Sequence, residues 1–334
     1  MFAPSTAPPA ADPAPRRLRL RPSSLQVLTG VLVVVLLGRP VVAQLFDSPG
    51  MRTWATVFVA ICVQALPFLV LGVLLSAAIS VFVPASVFTR LLPRHPLAAV
   101  PVAGAAGAVL PGCECSSVPV ARGLISRGVA PAAALAFLLS APAINPIVLV
   151  ATSVAFPGQP EMVLARFVAS LGTAVVVGWV WARFGRAEWL AFPRRPGLAG
   201  LGRWDAFRIN VRHDFVHAGG FLVVGGIAAA TLNVAVPRDL LDAVAERPWL
   251  SVLVLAGLAV VLAICSEADA FVAAGLTQFS LTSRLAFLVV GPMVDVKLVA
   301  LQAGTFGRRF AVRFAPLTLV VAVGSAVVAG ELLL

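Results

Sequence analysis

The feature that most constrains this chain is a series of long runs with almost no charge. Residues 53–84 contain no Asp, Glu, Lys or Arg. Further apolar segments cover about 97–125, 130–156, 161–183, 214–237, 249–278, 283–306 and 311–333. Runs of about 18 or more such residues are long enough to cross a bilayer as helices. The hydrocarbon offers the backbone no water, so only helices or closed barrels span it. A barrel needs polar and apolar residues in alternation, which is absent here. The expected fold class is an all-α polytopic membrane protein. Composition agrees, with 60% hydrophobic and 12% charged residues, against about 25% charged in a soluble domain.

The net charge of +11 does not point to nucleic acid. The arginines fall mainly between the apolar segments, as the positive-inside rule expects. The four cysteines, Cys62, Cys113, Cys115 and Cys265, all lie within apolar segments, which is not a disulfide framework. A buried cysteine is most often a small hydrophobe, and Cys62 keeps that reading.

Residues 1–24 are proline-rich and carry Arg16, Arg17, Arg19 and Arg21. They read as a disordered basic tail. Residues 25–46 read as an N-terminal transmembrane helix, preferred over a cleaved signal peptide. Two homologous halves follow, at 53–183 and 213–333, joined by a basic cytoplasmic loop at 184–212.

The halves are inferred from an internal repeat. Phe68-Leu69-Val70-Leu71-Gly72 recurs as Phe221-Leu222-Val223-Val224-Gly225, and Pro84 matches Pro237 at the same offset of 153. At an offset of 150, Cys115-Ser116 maps to Cys265-Ser266 and Leu135-Ala136-Phe137-Leu138 to Leu285-Ala286-Phe287-Leu288. Pro142 and Asn145 then map to Pro292 and Asp295. Duplicated halves with a site between them are typical of secondary transporters.

Charge also bears on topology. Nine single crossings would put the arginine-rich 183–213 stretch outside, against the positive-inside rule. One re-entrant segment per half, taken as 130–156 and 283–306, returns it to the cytoplasm and inverts the halves. Arg122 and Arg127 stay awkward in that scheme.

Pro111-Gly112-Cys113-Glu114-Cys115, with Pro119, concentrates chemistry within an apolar segment. Residues i and i+2 point about 200° apart on a helix, so the two thiols converge only on an irregular backbone. Pro111, Gly112 and Pro119 supply that irregularity as helix breakers. Soft thiolates at Cys113 and Cys115 suit soft ions such as Cu(I), Zn(II) or trivalent arsenic. The plainer alternative is a pair of small packing residues at a kink. Glu114 has no packing role, and a carboxylate at mid-span costs about 2.5–3.5 kcal/mol on insertion scales.

The repeat-equivalent stretch is Cys265-Ser266-Glu267-Ala268-Asp269. Clustered intramembrane acids are a usual means of proton coupling. Glu114, Glu267, Asp269, Asp295 and Lys297 are assigned that role, while Cys113, Glu114, Cys115, Asn145, Cys265 and Ser266 are assigned to substrate binding. Pro142 and Pro146 flank Asn145, and Pro292 precedes Asp295; these prolines are read as breaking their helices. Lys297 is the sole lysine of the chain. It can change protonation where arginine cannot. Asp295 and Lys297 are read as a structural ion pair, which at that spacing needs an irregular backbone, and Glu267 or Asp269 are offered as the alternative partners. His217 is read as a satisfied polar residue, and His95 and His213 as loop residues.

No nucleotide-binding motif, zinc-hydrolase motif or nucleophile elbow occurs. The chain is expected to be neither an enzyme nor, by itself, an ATP-driven pump, and no cofactor is expected.

These motifs resemble a predicted bacterial permease family that includes the organoarsenical efflux permeases (ArsP-like and YraQ-like). The resemblance covers about residues 50 to 333. It is carried by Pro111–Cys115 with Pro119, Ala136-Phe137-Leu138, Pro142 and Asn145-Pro146, then by Cys265–Phe271 and Gly291–Lys297. It implies a multi-pass permease of the bacterial cytoplasmic membrane. For characterised relatives it implies proton-coupled export of trivalent methylated or aromatic arsenicals or other metal(loid)s, with a cysteine pair as ligand. Here that pair is Cys113 and Cys115; the acidic Glu114 between them departs from some arsenical exporters.

The sequence thus points to a soft-metal(loid) or organoarsenical efflux permease. Its expected partners are the bilayer, a small-molecule or metal(loid) substrate and protons, and a homo-oligomer is left open. One alternative is a permease for a small organic or anionic solute that pairs with Lys297. Another is a membrane subunit that assists a metal or redox partner without transporting.

Overall fold

A computed structural model of the chain describes residues 48–84, 86–87, 92–93, 95–109, 113–192, 202–235 and 247–334. Residues 1–24 and 25–46, and the breakers Pro111 and Gly112, lie outside this set. Every described element is helical. Thr53–Leu334 clusters as one compact unit.

The first half contains α1 (Pro49–Phe82), α2 (Pro96–Ala106), α3 (Glu114–Ser126), α4 (Pro131–Ile144), α5 (Pro146–Ala155) and α6 (Pro160–Phe184). The second contains α7 (Arg203–Ala235), α8 (Pro248–Leu262), α9 (Asp269–Gly275), α10 (Leu281–Val290), α11 (Val296–Phe306) and α12 (Arg308–Leu333). Each element of one series has a counterpart of similar position in the other. Proline starts α2, α4, α5, α6 and α8 within the first turn. Its missing N–H is one the helix could not use there.

Four long helices, α1, α6, α7 and α12, carry the exposed Val, Leu and Ile side chains that suit lipid. The α4–α5 span is different. It runs Pro131–Ala155 as 25 residues, and its most apolar window is 78% buried, against 28% for α1. It is the central element of the first half. The counterpart helices α6 and α12 pack side by side and antiparallel. Trp181, near the end of α6, meets Phe310 and Phe314 at the start of α12, with ring centroids 5.2 and 5.7 Å apart.

The short helices shift the re-entrant assignment in the first half, whereas the second-half segment 283–306 is broken into α10 and α11, of 10 and 11 residues. The expected re-entrant segment 130–156 is long enough to cross. The segment 97–125 is instead broken into α2 and α3, of 11 and 13 residues. A Cβ on Gly72 would lie 2.5 Å from the Ser116 Cα, and one on Gly123 3.2 Å from the Ser76 Cα. Ser80 and Ser126 share a hydrogen bond at 3.2 Å. Helix α3 therefore runs alongside α1 in the same direction. It turns at Arg127–Ala130 and packs back against α4. Gly107, at the end of α2, abuts Ser140 and Ala141 at the end of α4, so α2 and α4 are parallel. Helices α2 and α3 thus enter and return on the same side. In the second half α8 and α9, of 15 and 7 residues, are likewise too short to cross.

Two smaller readings also change. Arg203–Arg212 is already helical, so the 184–212 loop is shorter than expected, and His213 lies within α7. Pro119 and Pro142 sit inside continuous helices rather than at breaks. Each removes one backbone hydrogen bond, which flanking packing tolerates.

Candidate functional site

The breaks converge on one buried centre. Cys113 is the extended N-cap of α3, with φ −83° and ψ 175°, and Cys115 lies in the first turn. This supplies the irregular backbone that the i, i+2 spacing demands. The thiols of Cys113, Cys115 and Cys265 lie near one another around Glu114 and Lys297. All three are free and buried. They are neighbours without forming a metal-holding set: among the described residues no group of three or more His, Cys, Asp or Glu is so arranged.

Cys265 belongs to a non-helical link, residues 263–268, between α8 and α9. Helix α8 ends at Ala263, whose φ of 50° is left-handed, a conformation that costs a non-glycine residue about 1–2 kcal/mol. The turn aims the Ala263 carbonyl at Lys297, whose Nζ donates to it at 3.0 Å.

Lys297 is engaged by two carboxylates. Its Nζ lies 2.6 Å from Glu114 Oε1 and 3.6 Å from Asp295 Oδ2. The Cys265 Sγ is 3.7 Å away. Ser266 Oγ donates to the other Glu114 oxygen at 3.4 Å. Both oxygens of a first-half carboxylate are therefore held by second-half residues. Glu114, Cys113 and Lys297 are no more than 1% exposed, so the centre is closed to solvent.

Of the partners expected for Lys297, Asp295 is at hand and Glu267 and Asp269 are not, while Glu114 is the nearer carboxylate. Asp269 instead faces Arg166 Nη2 at 2.7 Å, while Glu267 stands half-buried with Oε2 unpartnered. Arg166 is fully buried on α6, and its Nη1 donates to Thr152 Oγ1 at 2.8 Å. Sequence reasoning passed over Arg166. The signal was present, because a lone charge inside the 161–183 segment raises the same question as Glu114.

Asn145 and Asp295 occupy repeat-equivalent breaks and do the same work. Asn145 Oδ1 accepts from Val148 N at 3.0 Å to cap α5, and its Nδ2 donates to Ala141 O at 3.1 Å. Asp295 Oδ1 accepts from Leu298 N at 2.5 Å to cap α11. Such caps contribute about 1 kcal/mol each. The charged cap stands where Lys297 is present. Pro146 and Pro292 flank these two breaks as expected.

The two awkward arginines are satisfied locally. Arg122 pairs with Asp214 of α7 at 3.1 Å. Arg127 donates to the carbonyls of Ile79, at 3.0 Å, and Ser80.

Comparison with known proteins places this arrangement. A family described as predicted permease matches residues 51–331. The Bacillus subtilis (strain 168) UPF0718 protein YcgR is 35% identical over 285 residues, covering 83% of this chain and 95% of that protein. A Streptococcus mutans protein is 30% identical over 267 residues, covering 77% of this chain and 88% of its own length. Its name describes it as a two-component membrane permease complex subunit. No solved structure matches the chain. The multi-pass helical architecture, the family match over nearly all described residues and these relatives agree: the chain belongs to the predicted permease family of bacterial membrane proteins, a family of transporters rather than enzymes.

Proposed function

We propose that this permease is a secondary transporter of two inverted homologous halves that exports a soft metal(loid), such as a trivalent organoarsenical, in exchange for protons. The observation that carries the reading is the meeting of three thiols with an excess of carboxylates at one closed centre. Cys113 and Cys115 bind the soft atom of the cargo, and Cys265 stands beside them in the same substrate site. Asn145 and Ser266 line the approach. Glu114, Glu267, Asp269 and Asp295 outnumber the cations Lys297 and Arg166 around them. Such a centre favours cations and protons over anions. Lys297, already held by Glu114 and Asp295, is a poor receptor for an anionic solute, which weakens that alternative.

The test is a growth screen with arsenicals, antimony, copper and zinc in a sensitised host, followed by flux into everted vesicles. The chain should confer tolerance to at least one of these solutes. Cys113→Ser with Cys115→Ser should abolish both tolerance and flux. Unchanged transport in that variant removes the ligand assignment.

A second reading rests on the Streptococcus mutans relative. If this chain also works as one subunit of a two-component permease, vesicles holding it alone accumulate nothing, and flux appears once a partner subunit is co-expressed.

A further inference from the structure

Arg166 contacts no thiol, yet it grips the link that carries one. Its Nη2 donates to Asp269 Oδ2 at 2.7 Å and to the Ser266 carbonyl at 3.4 Å. Its Nη1 reaches Thr152 on α5 at 2.8 Å. Thr152 and Arg166 come from the first half, Ser266 and Asp269 from the second. Within the link, the backbone hydrogen bonds are the turn from Ala268 N and Asp269 N to Cys265 O, at 2.9 and 3.1 Å. Side chains from elsewhere must therefore fix its course. Lys297 holds one end at the Ala263 carbonyl. Arg166 holds the other, at Ser266 and Asp269. Cys265 lies between the two anchors, its Sγ 3.7 Å from the Lys297 Nζ that also holds Glu114, the neighbour of Cys113, at 2.6 Å.

We propose that Arg166 is a positioning residue for Cys265: it pins the 263–268 link so that the third thiol meets Cys113, and the thiol cluster closes only while α6 is docked on the second half. A guanidinium suits this task because its planar fork serves several acceptors from one fixed plane. A lysine at the same place presents a single point charge and cannot hold Thr152, Ser266 and Asp269 together. The functional meaning rests on the thiol site proposed above, but the proposal itself concerns only where Cys265 stands.

The test reads sulfur–sulfur proximity in the purified full-length protein in nanodiscs, in a Cys62→Ser background. With Cys115→Ser, Cys113 and Cys265 remain and report across the halves. With Cys265→Ser, Cys113 and Cys115 remain and report within α3. The probe is dibromobimane, a small apolar reagent that bridges two adjacent thiols. Arg166→Gln should slow linking of Cys113 to Cys265 about tenfold, equivalent to roughly 1.4 kcal/mol of lost positioning. Linking of Cys113 to Cys115 should stay at the parent rate, which controls for access to the same centre. Arg166→Gln with Asp269→Asn, which leaves no orphan carboxylate, should show the same selective loss. If Arg166 variants do not fold, Thr152→Val carries the test, because it removes only the α5 anchor. An unchanged cross-half rate, or an equal fall in both reporters, overturns the proposal. Intact selectivity here alongside absent transport would remove the transport reading and leave this one standing.

Discussion

At the residue scale, the centre is a set of charges that satisfy one another across the molecule. Glu114 and Lys297 are 183 positions apart in sequence and 2.6 Å apart in space. Removing one member of such a buried pair strands the other, at a cost of about 3–5 kcal/mol. Lys297→Met should therefore lower the melting temperature in nanodiscs markedly, and Glu114→Gln with Lys297→Met should recover part of the loss. A Lys297→Met protein that melts like the parent would show that the pair contributes nothing. Much of this site was legible as a list of suspects. Glu114, the cysteines and Lys297 stand out because charge and thiols are rare in such segments. Their pairing was not legible, since Asp269 and Glu267 are as near to Lys297 in sequence as Cys265 is. Arg166 was missed because arginines elsewhere follow the positive-inside rule, and its segment was read by length alone.

At the element scale, two glycines set how closely the long helices approach the centre. Gly72 and Gly225 end the matching stretches Phe68–Gly72 and Phe221–Gly225, and each lets a long helix press on the centre. A Cβ on Gly225 would lie 2.8 Å from the Lys297 Cα, as one on Gly72 would crowd Ser116. Gly225→Ala should cost about 1–3 kcal/mol through overpacking. Gly219→Ala, in the same helix with open space around it, should leave melting unchanged or slightly raise it. Equal behaviour of the two variants would refute the close-approach argument. The breaks were foreseen less well. Proline marks a possible break, but Pro119 and Pro142 are absorbed, whereas Asn145 and Asp295 mark the true ones because they can cap a new helix. The re-entrant segment was misassigned because apolarity is continuous through 97–125, and only the backbone shows that α2 and α3 fold back on each other.

At the scale of the whole molecule, α6 and α12 pack side by side and run in opposite directions. The end of α6 and the start of α12 share a basic rim. Arg186 and Arg313 approach the Trp189 ring, and Ala191 N donates to Phe306 O at 2.8 Å. With that rim cytoplasmic, Gly158, in the turn before α6, faces outward. We predict that Gly158→Cys reacts with an impermeant maleimide from outside intact cells, while Glu188→Cys does not. The reverse pattern, or reaction at both, would refute a cytoplasmic rim.

The crossed ion pairs have a consequence for how the chain is made. Synthesis runs from the N-terminus, so Glu114 and Arg166 reach the bilayer before Lys297 and Asp269 exist. For that interval the nascent first half holds a carboxylate and a guanidinium whose counterions are still unborn, each costing about 2.5–3.5 kcal/mol in an apolar setting. The last third of the polypeptide is therefore also the neutralising reagent for the first, and biogenesis ends in an act of charge cancellation.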